Sequence, residues 1–309
     1  MSGKIRFAPS PTGFLHEGHL LSALYVWAAA KKWDLHIHLR IEDHDRGRAR
    51  QAYIDGIRED LEWLGFEHDS QSIQSERSEI YEAVLQDLID SGYVYPCYCS
   101  RKQLEAENPR SETNEIIYQG KCRGLAESLK VKGDRSPDSI LPPHNLRFKV
   151  ADKVIYWTDL RLGDFSENPA LQCGDFPIQD RDGFWTYQYA VCVDDLQQGI
   201  THIIRGEDIR NSTARQIALS ETIAQVCKNS RRISLPNYSH PFYLHHGLIV
   251  DPNGKKLSKR ELAHSIRQDK EMGICPQELF GRVLFKAGIQ PTPAFCSLNE
   301  AIDQIIRIL

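Results

Sequence analysis

The sequence predicts an α/β fold in which a parallel sheet is covered by helices and interrupted by an inserted domain. Three observations predict it. Strand-like and helix-like runs alternate from Ile5 to Gly92, the pattern breaks at Val94, and it resumes near Tyr187.

Ile5 to Ala8 reads as a short strand, after which Pro9, Pro11 and Gly13 force a turn and exclude a helix. From Gly18 to Lys32 the apolar residues Leu20, Leu21, Leu24, Trp27 and Ala28 recur at helical spacing. Ile37, Leu39 and Ile41 alternate with His36, His38 and Arg40, as in a half-buried strand. Arg48 to Leu64 reads as a helix ended by Gly65, and Ser78 to Ile89 as another ended near Gly92. Residues 95–185 carry a cysteine cluster, a polar stretch and the strand-like runs LRFKV and KVIYWTDL. The segments TYQYAVCVDD and GITHIIRG read as buried strands, and Ser212 to Cys227 as a helix. LIVDPNG reads as a strand with an Asn-Gly turn, followed by a lysine-rich loop and short helices. The expected layout is a first half of a nucleotide-binding domain (1–94), an inserted domain (95–185), a second half (186–235) and a loop with a small helical module (236–309).

Composition narrows the function classes. A chain of 309 residues can bury a sizeable core in one to about three domains, and nothing in it marks an intrinsically disordered protein. No apolar run reaches the roughly 18 residues that a membrane span needs. The start MSGKIRFAPSPTG lacks the apolar core of a signal peptide, so a cytoplasmic location without a membrane partner is expected. A monomer is expected. The net charge of -4 argues against a nucleic-acid binder, yet Arg205 to Lys270 holds twelve Lys or Arg against six Asp or Glu. Local charge matters more than the total when one face meets phosphate. Of the eight cysteines, Cys97, Cys99 and Cys122 are grouped; Cys173, Cys192, Cys227, Cys275 and Cys296 are scattered, and disulfides are not expected in a reducing compartment.

Two segments point to nucleotide chemistry. PSPTGFLHEGHL sets His16 and His19 around Glu17-Gly18, between a strand and a helix start, where imidazoles and backbone N–H groups can meet phosphate. KKLSKR places Lys256 and Lys259 around Ser258, a positive loop suited to polyphosphate. No GxxxxGK[ST] motif is present, which removes the P-loop reading.

HEGH and KLSKR resemble the two signatures of class I aminoacyl-tRNA synthetases. RFAPSPTG, RIEDHDRGR, YAVCVDDLQQGITHIIRGED and KLSKR are similar, in that order, to the glutamyl branch over roughly residues 4–262. The resemblance implies a Rossmann-type catalytic domain that makes glutamyl adenylate from glutamate and Mg-ATP without tRNA. It implies that His16 and His19 bind the ATP phosphates and that Lys256 and Lys259 act on them during adenylate formation. In the amino-acid pocket, Arg6 and Arg205 offer forks for a carboxylate, Glu42 can balance an ammonium, and Ser10 and Tyr187 offer hydroxyls. The family has equivalent roles at these matched positions. Asp43, Asp45, Asp194 and Asp195 read as structural hydrogen-bonding groups, and Asp208 as a helix cap or a neighbour of the ribose.

Three thiolates suit zinc, which in structural sites normally takes four ligands. From the residues alone, isolated reduced cysteines are an equal alternative. The Cys-x-Cys and Tyr-x-x-x-Cys pattern resembles the short glutamyl-queuosine tRNA(Asp) synthetases, which implies that Cys97, Cys99, Tyr118 and Cys122 hold one structural zinc. Only 49 residues follow Arg260, too few for the usual anticodon-reading region. The resemblance therefore implies queuosine-containing tRNA-Asp as acceptor, with a truncated glutamyl-tRNA synthetase that charges the tRNA 3' end as the alternative and an inactive RNA-binding module as a third reading. Three positions depart from the pattern. Glu17 stands where an apolar or aromatic residue is common, His19 where many short members carry Ser, and Val191 where ordinary glutamyl synthetases often carry a polar residue.

Overall fold

A computed structural model describes residues 3–44, 47–125, 144–249 and 264–309. The first part runs β1 (Lys4–Phe7), α1 (Glu17–Trp33), β2 (His36–Ile41), α2 (Gln51–Leu64), β3 (Ser70–Ile73) and α3 (Ser78–Asp90). The middle adds β4 (Val94–Cys97), α4 (Arg101–Glu107), β5 (Asn145–Phe148), β6 (Ile155–Asp159), β7 (Gly163–Glu167), α5 (Pro169–Gln172) and β8 (Pro177–Gln179). The last part holds α6 (Tyr187–Gln198), β9 (His202–Gly206), α7 (Thr213–Cys227), β10 (Phe242–His246), α8 (Ile266–Glu271), α9 (Pro276–Lys286) and α10 (Leu298–Ile306).

The main sheet has the order β3-β2-β1-β9-β10-β6-β7. Its neighbours are parallel except for the β6–β7 hairpin. The chain leaves β1 towards β2 and β3, and much later fills the other side with β9 and β10. The crevice at the carboxyl ends of β1 and β9 is therefore a topological switch point, the place where open α/β sheets receive ligands. A second, antiparallel sheet of order β4-β5-β8 belongs to the middle segment. The β6–β7 hairpin of that same segment instead joins the main sheet, with Asp159 in register with Tyr243.

Several expectations change. TYQYAVCVDD is not a strand but the helix α6. Tyr189 to Leu196 are all buried, so no polar face remains to mark a helical period. On β2, His38 and Arg40 do not face solvent: both are buried, His38 between the hydroxyls of Ser70 and Ser72. The strand read into LIVDPNG falls mostly outside the described residues, and β10 precedes it. Asp208 lies in the first turn of a 3-10 helix (Glu207–Ser212) rather than at its cap, Gly206.

The C-terminal helices share one apolar core with the start of the chain. Leu279, Phe280, Val283 and Ile305 pack in the same cluster as Leu20, Leu24, Leu39 and Ile57. Among the described residues no helix is long and apolar enough to cross a membrane.

Candidate active site

The N-terminus of α1 is capped by its own signature. His16 Nδ1 accepts the Gly18 N–H at 3.1 Å, and His19 Nδ1 accepts the His16 N–H at 3.2 Å. A ring nitrogen that accepts a backbone N–H carries no proton, so in each neutral imidazole the proton sits on Nε2. Both rings thus turn a donor edge away from the helix, and they lie 3.9 Å apart between centroids. With the helix N-terminus, this corner carries the kind of donors an anion would need. Lys256 and Lys259 lie outside the described residues. Where description resumes, Ser265 bridges to His16 and the Ile266 N–H donates to Leu15 O at 2.8 Å, directly beside this corner.

Glu17 is buried despite its charge. Its carboxylate lies 2.7 Å from Arg282 Nε and 2.7 Å from Lys286 Nζ, both on α9. Arg282 also reaches Asp269 of α8 at 2.6 Å. The acidic departure in the first signature is thus matched by cations from the C-terminal helices.

The amino-acid residues converge at the switch point. Arg6 on β1 donates to Asp195 at 3.2 Å and to Ile204 O at 3.4 Å. Glu42, just past β2, accepts from Arg40, which also donates to Asp195 at 2.7 Å. Burial raises the Glu42 carboxyl, and Arg40 opposes that shift. Burial would also raise Asp195, but Arg40 and Arg6 hold it below the usual carboxylate range. Burial raises the Tyr187 phenol at the start of α6; Arg205 and Arg6 oppose this and Glu42 adds to it, so the four groups share one neighbourhood. Ser10 sits half-buried beyond the carboxyl end of β1. Asp194 accepts from Gln74, Arg77 and Tyr81, and Asp43 accepts the Ser75 N–H, which are structural roles. Val191 is buried in the apolar core.

Arg205 is different. It is buried on β9 and donates to His245 at 3.0 Å, Gln216 at 2.7 Å and Thr213 at 2.8 Å. All three partners are uncharged acceptors, and among the described residues no carboxylate is in ion-pair contact with it, although it helps Arg40 and Arg6 hold Asp195 down. Three of its five N–H groups are thereby used. A buried charge is normally paired, so an anionic ligand would complete its surroundings. Sequence reasoning missed Arg40 and His245; their partners lie 155 and 40 residues away, and no local pattern announces them.

Cys97, Cys99 and Cys122 form a buried cluster with their sulfurs within 4.8 Å of one another. Cys99 and Cys122 are 3.7 Å apart, and tetrahedral zinc with bonds of about 2.3 Å would space its sulfurs by about 3.8 Å. The Tyr118 oxygen lies 3.5 Å from Cys97 and 3.6 Å from Cys99, and it accepts the Cys122 N–H at 3.0 Å. Arg147 stacks 4.1 Å over the Tyr118 ring. Three thiols and one phenol oxygen are the right number of donors for a structural metal.

A cavity of about 390 Å³ lies at the opposite ends of the strands, beside Gly3, Gly199 and Pro241. Asp195 and Gln216, which bond to Arg6 and Arg205, also line it, so it backs onto this site.

Residues 4–307 match the family described as tRNA synthetases class I (E and Q), catalytic domain. The chain is 38% identical over 280 residues to a glutamate–tRNA ligase of Aquifex aeolicus, covering 90% of this chain and 55% of that protein. It is 37% identical over 279 residues to a glutamate–tRNA ligase of Francisella tularensis, covering 89% and 54%. The chain thus spans about half the length of the curated relatives it matches. The crystal structure of a glutamate tRNA ligase from Elizabethkingia meningosepticum in complex with its amino acid aligns with a TM-score of 0.72 and 26% identity, over 98% of this chain and 64% of that one.

Proposed function

Because the chain belongs to the class I tRNA synthetases of the E and Q type, we propose that it activates glutamate with ATP and transfers it to tRNA. The single observation that carries the substrate is Arg205, a buried cation without an acidic partner among the described residues, in the neighbourhood of Arg6, Glu42 and Tyr187. A glutamate side-chain carboxylate supplies the missing charge. Glu42 and the Tyr187 hydroxyl suit the substrate ammonium.

In the proposed reaction the glutamate α-carboxylate attacks the α-phosphorus of ATP and displaces pyrophosphate. No covalent enzyme intermediate is needed. The Nε2–H edges of His16 and His19 and the α1 N-terminus hold phosphate oxygens, and Lys256 and Lys259 stabilise the charge that develops on the leaving group. Magnesium accompanies ATP as a co-substrate. Zinc, held by Cys97, Cys99, Cys122 and Tyr118, would staple the insert and take no part in the chemistry.

Glutamate-dependent ATP–pyrophosphate exchange tests this reading. Exchange is expected without tRNA; exchange that appears only after tRNA is added overturns tRNA-independence, and none in either condition overturns the enzyme. The relatives are named glutamate–tRNA ligases, and the first reading takes the 3' terminal ribose of tRNA as acceptor. The Tyr118 oxygen among the three cysteines favours a second reading, in which queuosine in tRNA-Asp receives the glutamate. Nuclease digestion of tRNA charged with labelled glutamate separates the two: label on the terminal adenosine supports the first, and label on the anticodon fragment the second.

A further inference from the structure

Arg205 does not hold its place alone. Its Nε–H donates to His245 Nε2, and His245 Nδ1 lies 2.7 Å from Asp159 Oδ2. Asp159 in turn is locked. Its Oδ2 accepts the His245 N–H at 2.9 Å, and its Oδ1 accepts the N–H groups of Arg161 and Leu162, each at 2.9 Å. Asp159, His245 and Thr213 are among the most buried polar residues of the chain.

These bonds allow one arrangement of protons. Arginine always carries its Nε proton, so His245 Nε2 must accept. Asp159 receives three backbone N–H bonds as an acceptor, so His245 Nδ1 must donate to it. The imidazole is therefore neutral, with its proton on Nδ1. Burial lowers the His245 pKa, in the same sense. A second proton on the ring would set two N–H groups against each other across a 3.0 Å contact.

We infer that His245, held by Asp159, is a positioning residue for amino-acid selection: it aims the Arg205 guanidinium while leaving its positive charge unmatched for a substrate carboxylate. A carboxylate in place of the imidazole would aim the same fork but neutralise it, and the pocket would lose its demand for an anion. The neutral ring separates orientation from charge. Gln216 and Thr213 do the same for the other two nitrogens, and Gln216 is itself fixed by donating to Gln188 at 2.9 Å. The inference rests on the reading of Arg205 as the carboxylate receiver.

Two variants separate the halves of the relay. His245→Asn can keep a donor towards Asp159 but does not reach Arg205. His245→Gln can keep an acceptor for Arg205. In pyrophosphate exchange, His245→Asn should raise the glutamate KM about 10- to 100-fold, the span expected when a charge-assisted hydrogen bond is lost. The ATP KM and kcat should stay within about 3-fold, whereas a merely unfolded fraction would lower kcat and leave both KM values unchanged. His245→Gln should return the glutamate KM to within about 5-fold of the parent. A glutamate KM unchanged in His245→Asn, or one that moves together with the ATP KM, overturns the inference. If His245→Asn does not fold, Asp159→Asn serves instead: it removes the proton lock and should raise the glutamate KM by about 5-fold or more, and no rise overturns the inference. Arg205→Ala is the control. If it leaves glutamate dependence unchanged, the reading of the pocket falls and the inference falls with it; if it raises the glutamate KM while His245→Asn does not, only the inference falls.

Discussion

Replacing Arg282 by Met should loosen the nucleotide corner from a distance. Arg282 lies 2.7 Å from Glu17 and 2.6 Å from Asp269, whose side chains are 8% and 2% exposed. Its own side chain is 25% exposed, so solvent already weakens part of the interaction. Breaking a buried pair by removing one partner costs about 3–5 kcal/mol, but Lys286 remains on Glu17. We therefore take the low end, about 3 kcal/mol, most of it from Asp269. With about 2.1 cal/mol/K of unfolding entropy per residue, that lowers the Tm of a 309-residue chain by roughly 5 °C. Because Glu17 opens the helix that carries His16 and His19, the ATP KM should rise as well. Calorimetry and pyrophosphate exchange measure the two effects. Glu17→Gln and Arg282→Met should couple by about 1 kcal/mol or more in a double-mutant cycle. A Tm within about 1 °C of the parent, with additive single variants, would refute the reasoning.

Lys259→Ala should slow adenylate formation about 10- to 1,000-fold; an unchanged rate under conditions where chemistry limits turnover removes this lysine from the mechanism. Zinc should co-purify at about one ion per chain, and elemental analysis checks it. A metal-free preparation that remains stable rejects a required structural ion, and full zinc retention by Tyr118→Phe removes Tyr118 as a ligand. Burial raises the Asp60 carboxyl to about 6, although Arg267 and Lys270 oppose the shift. Between about pH 4 and 6 the folded chain holds a proton that the unfolded chain has released, so stability falls as pH rises through that window. Asp60→Asn should therefore gain on the parent by up to about 3 kcal/mol above pH 6 and by little at pH 4. Equal differences at both pH values, in denaturant titrations, would count against it.

Much of the fold was legible because α2 and α3 carry one apolar face each, α1 is a long apolar run buried nearly all round, and all three end where Gly or turn residues stand. The helix α6 was not, because its buried surroundings accept Asp194 and Asp195 as readily as Val191 and Val193. Those two acids look polar in the sequence; in the fold they are held by Arg77, Arg40 and Arg6. The candidate site divides the same way. Arg6, Glu42, Tyr187 and Arg205 could be chosen from residue chemistry and resemblance, and the structure brings them into one neighbourhood. What surrounds them could not, since a relay such as Asp159–His245–Arg205 joins three strands that only the sheet order makes neighbours.

The long return path of the main sheet bears on how the chain is made. β1 forms early in synthesis and finds β2 at once, but its other edge waits for β9, and Lys4 bonds to Thr201 across a separation of 197 residues. Until then the nascent chain presents an unpaired strand edge to solvent or to a chaperone. The middle segment must emerge from the ribosome during that wait. Ribosome-held chains stopped before Ile200 should leave the β1 amides on the β9 side open to hydrogen exchange, and chains extended beyond His246 should protect them.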